Sequence, residues 1–232
     1  MITALFVILV VGAIALHYLF VERPRRREAG IELWVPEPIT LAEAMEEPPD
    51  GLFLQSSFTW TRVRKNGEFF VGVHPLLLSL VGPDAALEFA ADETELEKGD
   101  PLLTLRLDQR ELRLFSPIAG RILEVNDGFL PQAGWAGATS RGGSWLYRIS
   151  PRHAENEVPF WLLGTDASNW AHQEYRQVRD FLFDTVAHAE VGLSAADGGE
   201  LPSGVLSQLD ADAWSRFQDR FLPDPERPEP EE

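Results

Sequence analysis

Hydrophobic and polar positions alternate differently in three stretches of the chain. Residues Ile2 to Val21 carry no charged side chain, and a run of about 20 apolar residues matches one membrane-spanning helix. From Leu52 to Ile149 the period is short. Leu52 to Val63, Glu68 to Val73, Ala86 to Ala90, Leu102 to Leu107, Leu112 to Phe115, Gly120 to Val125 and Trp145 to Ile149 read as strands. Between them lie turn signals: Lys65-Asn66-Gly67, Glu97 to Asp100, Asp108 to Glu111 and Asn126-Asp127-Gly128. His74 to Gly82 breaks the alternation. It has Pro at its start and Gly at its end, and predicts a short buried helix. Short strands at close spacing predict an all-β sandwich or barrel.

Further along, the period lengthens. Val178, Phe181, Leu182 and Val186 predict a helix over Trp170 to Glu190. A second helix runs from about Asp210, an N-cap residue, to Leu222, with Ala213, Phe217 and Phe221 on one stripe and Pro223 as its stop. The chain thus divides into an anchor (1–21), a basic stop and acidic Pro-rich tether (22–50), a β domain (51–164), a helical extension (165–222) and an acidic tail (223–232). The tether has a candidate short helix at Leu41 to Glu46. The tail's Pro and Glu content predicts disorder.

Charge narrows the partners. A formal net charge of −17 excludes a nucleic-acid binder, which needs clustered Lys and Arg. The basic exception is Arg23, Arg25, Arg26 and Arg27, directly after the apolar run. That order predicts a single-pass membrane protein held in lipid by its N-terminal helix, with the C-terminal domain in the cytoplasm. The opposite orientation is the alternative. A cleaved signal peptide fits less well, because Met1 to Ala4 has no basic side chain and Ala13-x-Ala15 lies inside the apolar run.

Candidate chemistry is sparse. There is no cysteine, hence no thiolate nucleophile and no Cys-ligated metal. His74, His153, His172 and His188 are scattered. His74 reads as a packed or capping residue, and His172 and His188 are too far apart on one helix to chelate together. Asp166 with His172 or Glu174 reads as a solvated helix start, where acidic side chains suit the helix dipole. Gly134 to Gly143 reads as an elaborated loop. No nucleophile elbow, phosphate loop or dinucleotide fingerprint occurs. The expectation is a protein that is not an enzyme and holds neither metal nor cofactor.

Several motifs share one order with a known family. These are Phe58-Thr59-Trp60, Val71-Gly72-Val73, Leu80-Val81-Gly82, Lys98-Gly99-Asp100, the run Ser116-Pro117-Ile118-Ala119-Gly120-Arg121-Ile122-Leu123-Glu124-Val125-Asn126, and Gly143-Ser144-Trp145-Leu146. In that order, over residues 51–151, they resemble the glycine cleavage H protein of the lipoyl/biotinyl domain group. Leu209 to Phe217 resembles that family's terminal helix, with Trp214 where Tyr is usual. Trp170 to Glu190 looks like an insertion. The resemblance implies a mainly β, lipoyl-type barrel-sandwich hybrid with added C-terminal helices. It also implies core positions for Trp60 and Trp145. Trp161 and Trp170, beside Phe160 and Leu162-Leu163, are candidates for a contact surface, with core packing the equal alternative.

The resemblance also implies a modified lysine eight residues before the Pro of Ser-Pro-x-x-Gly. Counting back from Pro117 reaches Gln109. Lipoate joins its carrier through an amide to a lysine amine, which Gln109 lacks. Lys65 and Lys98 are the only lysines, both in other turns, and none follows Gly99. The expectation is therefore a membrane-anchored, non-lipoylated module that docks an unidentified protein partner. Asp108, Gln109, Arg110 and Glu111 form either a solvated tip or part of the docking face. Two alternatives remain at this level: a working lipoyl carrier related to glycine cleavage, and an efflux-type membrane-fusion adaptor. The adaptor would normally carry a long helical hairpin, absent between Pro101 and Pro117.

Overall fold

The structure is a computed structural model and describes residues 40–129, 134–135, 143–188 and 201–224. The apolar run at 2–21, the arginines Arg23, Arg25, Arg26 and Arg27, most of the tether and the tail from 225 lie outside the described residues. Among the described residues no helix is long and apolar enough to cross a membrane.

The described chain is mainly β, with helices at its C-terminal end. The strands are β1 (Leu52–Gln55), β2 (Thr59–Val63), β3 (Phe69–Val73), β4 (Ala86–Phe89), β5 (Glu95–Leu96), β6 (Pro101–Leu107), β7 (Arg110–Phe115), β8 (Gly120–Val125) and β9 (Trp145–Pro151). The helices are α1 (Leu41–Ala44), α2 (Pro75–Val81), α3 (Thr165–His188) and α4 (Ala211–Phe221). One sheet has the order β1-β2-β3-β9-β8-β5 and the other β4-β6-β7. All pairings are antiparallel.

Local chemistry explains most of these boundaries. Thr40 and Glu43 form a reciprocal capping box on α1. His74 caps α2: its Nδ1 accepts from the Leu76 N–H at 3.1 Å, while Pro75 opens the helix and Gly82, at φ 85, closes it. All seven residues of α2 are buried, which is the burial expected of a helix apolar on every side. The run Leu52 to Val63 is not continuous. Phe58 adopts φ 55 and reverses the chain, so β1 folds back on β2 with Leu54 opposite Trp60. A bulky residue seldom takes that conformation. Here the Phe58 ring is fully buried and its carbonyl accepts from His74 N–H at 2.7 Å.

The core takes side chains from both sheets and from α2, α3 and α4, including Val71, Ile149, Leu105, Leu112, Leu182 and Phe217. Tyr147 on β9 joins the sheets: its hydroxyl donates to Leu102 O and accepts from Ala90 N–H, both at 2.7 Å. Burial raises the phenol's pKa above its ordinary value. A second cluster gathers Leu52, Leu54, Trp60, Trp135, Trp145 and Ala167. Within it, Trp60 lies across Gly72, where an added Cβ would come within 2.3 Å of the indole. Gly72→Ala is therefore expected to displace a fully buried tryptophan and cost about 1–3 kcal/mol. The check is a lowered denaturation midpoint, and an unchanged midpoint would count against this packing.

Helix α3 starts five residues before the predicted Trp170. Thr165, Asp166, Ser168 and Asn169 carry no helical apolar pattern. Ala167 is fully buried and Trp170 half-buried, so tertiary docking organises this first turn. Before it, Leu162 pairs with Leu54 through two backbone hydrogen bonds of 2.8 and 2.9 Å. That contact covers the edge of β1.

Candidate functional site

The hairpin β6–β7 holds the position reached by counting from Pro117. The predicted four-residue turn is tighter than expected, because Leu107 pairs directly with Arg110 and only Asp108 and Gln109 lie between the strands. Asp108 takes φ 55, a conformation Asp tolerates better than most side chains. Both tip residues are exposed. Arg110 and Glu111 instead belong to β7.

Their side chains separate in role. Arg106 pairs with Glu88 and Glu111, and Arg113 also pairs with Glu111. Hydrogen bonds first from Arg106 and then from Arg113 hold the Glu111 carboxyl below its ordinary value. These pairs are partly exposed and make β6 and β7 a charged but locally compensated surface.

Arg110 is not part of a solvated tip. Its side chain is 17% exposed. The guanidinium donates to Ser207 O at 2.9 Å and to Leu209 O, approaches Asp108 at 3.3 Å, and stands 5.4 Å from the centroid of Trp214. A planar, permanently charged donor fork suits paired carbonyls beside an aromatic face. Farther along β7, Gln218 of α4 accepts from Arg113 N–H at 2.7 Å and donates to Arg113 O at 3.1 Å. The hairpin is thus fastened to α4 and to the 3-10 turn Val205–Gln208 that precedes it.

Asp210 caps α4 by accepting from Ala213 N–H at 2.8 Å. The apolar stripe Ala213, Phe217 and Phe221 is buried. Trp214 is 1% exposed and its indole donates to Leu206 O at 2.7 Å. Sequence spacing locates the helix but not its receptor carbonyls for Arg110, which belong to a segment nearly a hundred residues away.

The other candidates lie elsewhere. Trp60 and Trp145 occupy core positions. Trp161 and Trp170 are half-buried: Trp161 packs against Phe53 and Phe69, and Trp170 against Phe58 and His74. Phe160 beside them is 81% exposed. Lys65 lies in the β2–β3 turn. Lys98 lies in the β5–β6 turn and pairs with Glu157. His172 Nδ1 lies 2.8 Å from Ser168 O within α3, and His153 starts an exposed 3-10 turn. Neither joins the hairpin. His74 is fully buried at the α2 cap.

A model of the glycine cleavage H-protein family matches residues 52–173, just over half of the chain. The match ends inside α3, so α4 lies beyond it. A probable glycine cleavage system H protein of Pyrococcus horikoshii is 25% identical over 109 residues, covering 47% of this chain and 81% of that protein. The glycine cleavage system H protein of Aeromonas hydrophila is 27% identical over 105 residues, covering 45% and 81%. A crystal structure of a glycine cleavage system H protein from Mycobacterium marinum aligns with TM-score 0.40 and 19% identity, over 54% of this chain and 97% of that one.

Proposed function

The chain belongs to the glycine cleavage H-protein family, and from that premise we propose that it is a non-lipoylated, membrane-anchored module that docks a partner protein. One observation carries the reading: an exposed Gln109 occupies the hairpin tip where the family's lipoyl lysine is expected. The donor chemistry does not fit the group. A lipoyl amide forms on a primary amine, whereas the nitrogen of a glutamine carboxamide is delocalised into its carbonyl. Neither lysine substitutes, because each lies in a different turn.

The hairpin's order supports a recognition role. Its base is braced by Arg110 and Gln218 on the C-terminal segment, which presents Asp108 and Gln109 without requiring a swinging arm. Holding the backbone in place reduces the ordering cost of docking. The uncharged run 2–21 and the following arginines motivate the anchor and the cytoplasmic placement of the domain.

Intact-mass spectrometry tests the central point in a host that lipoylates its own carriers. The native chain is expected at its unmodified mass, and a lipoyl adduct on it would overturn the proposal. Gln109→Lys separately asks whether only the amine was lost: an adduct on this variant would mean that the ligase still recognises the hairpin. Docking is tested by purification from detergent-solubilised native membranes. A partner should be retained by the native chain and lost from Asp108→Lys. Equal retention on both would remove the hairpin from the interface.

A further inference from the structure

Among the described residues three large apolar side chains are exposed. Two of them, Phe160 at 81% and Leu163 at 47%, lie three residues apart. Pro159, inside the 3-10 turn Val158–Phe160, is exposed as well. Residues 158–164 carry no charged side chain. An exposed apolar segment of this kind marks a contact with protein or with lipid. We propose that it docks into the interfacial layer of a zwitterionic lipid bilayer.

The backbone of the segment supports that occupant. Leaving water costs an N–H group its hydrogen bond unless the chain supplies another acceptor. Pro159 has no N–H to satisfy. Phe160 N–H donates to Glu157 O at 3.0 Å, Trp161 N–H to Val158 O at 3.1 Å and Leu162 N–H to Leu54 O at 2.9 Å. Residues 159–162 therefore keep every N–H bonded inside the chain as water is withdrawn. The base of the segment is also fixed. Trp161 packs against Phe53 and Phe69, with ring centroids 6.0 and 5.7 Å apart. Phe160 and Leu163 thus project from a prepared support, which lowers the ordering cost of docking. A half-buried tryptophan beside such a patch suits the headgroup zone.

Charge selects the lipid. Glu157, at the edge of the segment, is already held by Lys98. Glu155 and Asp166 flank it, and the whole chain carries a formal charge of −17. Anionic headgroups attract basic segments, so this surface gains nothing from them and a zwitterionic surface is the one it fits. The apolar contact is small. It suffices where the domain is already joined to the bilayer, because attachment makes the second contact intramolecular. The inference therefore rests on the anchoring reading for its nearness to lipid, and not on the role given to the hairpin tip.

The test uses the full chain in phosphatidylcholine nanodiscs doped with a phosphatidylcholine that carries a nitroxide on its acyl chain. Backbone amide signals are compared with and without the nitroxide. Those of Phe160, Trp161 and Leu163 are expected to be lost selectively, while those of Asp108 and Gln109 at the hairpin tip persist. Phe160→Asp should restore the lost signals. Position 160 is exposed enough for that variant to fold, and its spectrum without nitroxide checks this. Chain that co-elutes with the discs but shows no selective loss would overturn the inference and leave the anchor standing. So would a loss that Phe160→Asp leaves unchanged. Chain that does not co-elute with the discs would refute the anchor and the inference with it. Signals that resist the nitroxide yet shift as a second chain is loaded per disc would assign the segment to protein contact, also overturning the lipid reading.

Discussion

Trp214→Ala is expected to lower stability by about 3–5 kcal/mol and to release the β6–β7 hairpin from the C-terminal segment. The indole is nearly fully buried, donates to Leu206 O and backs the Arg110 guanidinium. Truncation removes its apolar contacts, leaves a cavity, and takes away the aromatic face beside a poorly exposed cation. Arg110→Ala is expected to cost less, about 1.5–3 kcal/mol, the range for hydrogen bonds made by a charged group. The two losses should not add. Once Trp214 is gone, Arg110 is no longer held against its carbonyls in the same way, so a double-mutant cycle should give a coupling of at least about 0.5 kcal/mol. Denaturation midpoints of the full chain measure these changes. Hydrogen exchange at Asp108 and Gln109 locates them: both single variants should accelerate exchange at the tip. Additive losses with unchanged exchange would mean that Trp214 stabilises only the core.

The reason Arg110 escapes sequence reading lies in the nature of its partners. Ser207 and Leu209 contribute backbone carbonyls, and a carbonyl has no residue-type signature. Local pattern therefore finds the turn but misplaces Arg110 and Glu111 in it. Where the controlling groups are neighbours in sequence, the reading is closer. Pro75 and Gly82 mark α2, His74 supplies its cap, and Asp210 caps α4. Phe58 is the opposite case. Its positive φ reverses the chain without a glycine or asparagine to signal it, because burial and the His74 N–H hold the turn.

Tertiary docking also explains the earlier start of α3. Ala167 reaches the Trp60 cluster and Trp170 lies against Phe58, although the intervening residues lack helical periodicity. That arrangement gives a physical context for Phe58. An apolar ring fits a fully buried site covered by another helix. The groove lined by Phe115, Pro117, Phe160, Trp161 and Leu222 is not legible for a related reason: its walls come from segments distant in sequence. Composition identified the aromatic residues near one wall, but could not assemble the other.

Acidification below pH 6.5 is expected to destabilise the fold through His74, starting well above the ordinary carboxylate midpoint of 4.5. Burial moves the imidazole from 6.5 to about 3. Its Nδ1 accepts from Leu76 N–H, which assigns the neutral ring's proton to Nε2. A second proton on Nδ1 would remove the α2 cap and place a charge among Phe58, Trp135 and Trp170. The folded pKa lies below the unfolded one, so the unfolded chain takes up the proton first. Stability is fully present above pH 6.5 and falls as pH drops toward 3. At pH 5 the loss is about 2 kcal/mol, from roughly 1.4 kcal/mol per pH unit over the interval. Glu174 acts in the opposite direction: burial raises its carboxyl value, so the folded state gains a proton more readily. The informative quantity is therefore the difference between native protein and His74→Asn, which keeps a capping side chain without the imidazole titration. Denaturation midpoints of the native chain should decline between pH 7 and 5 while those of the variant stay flatter. Parallel declines would refute a buried neutral His74 as the source.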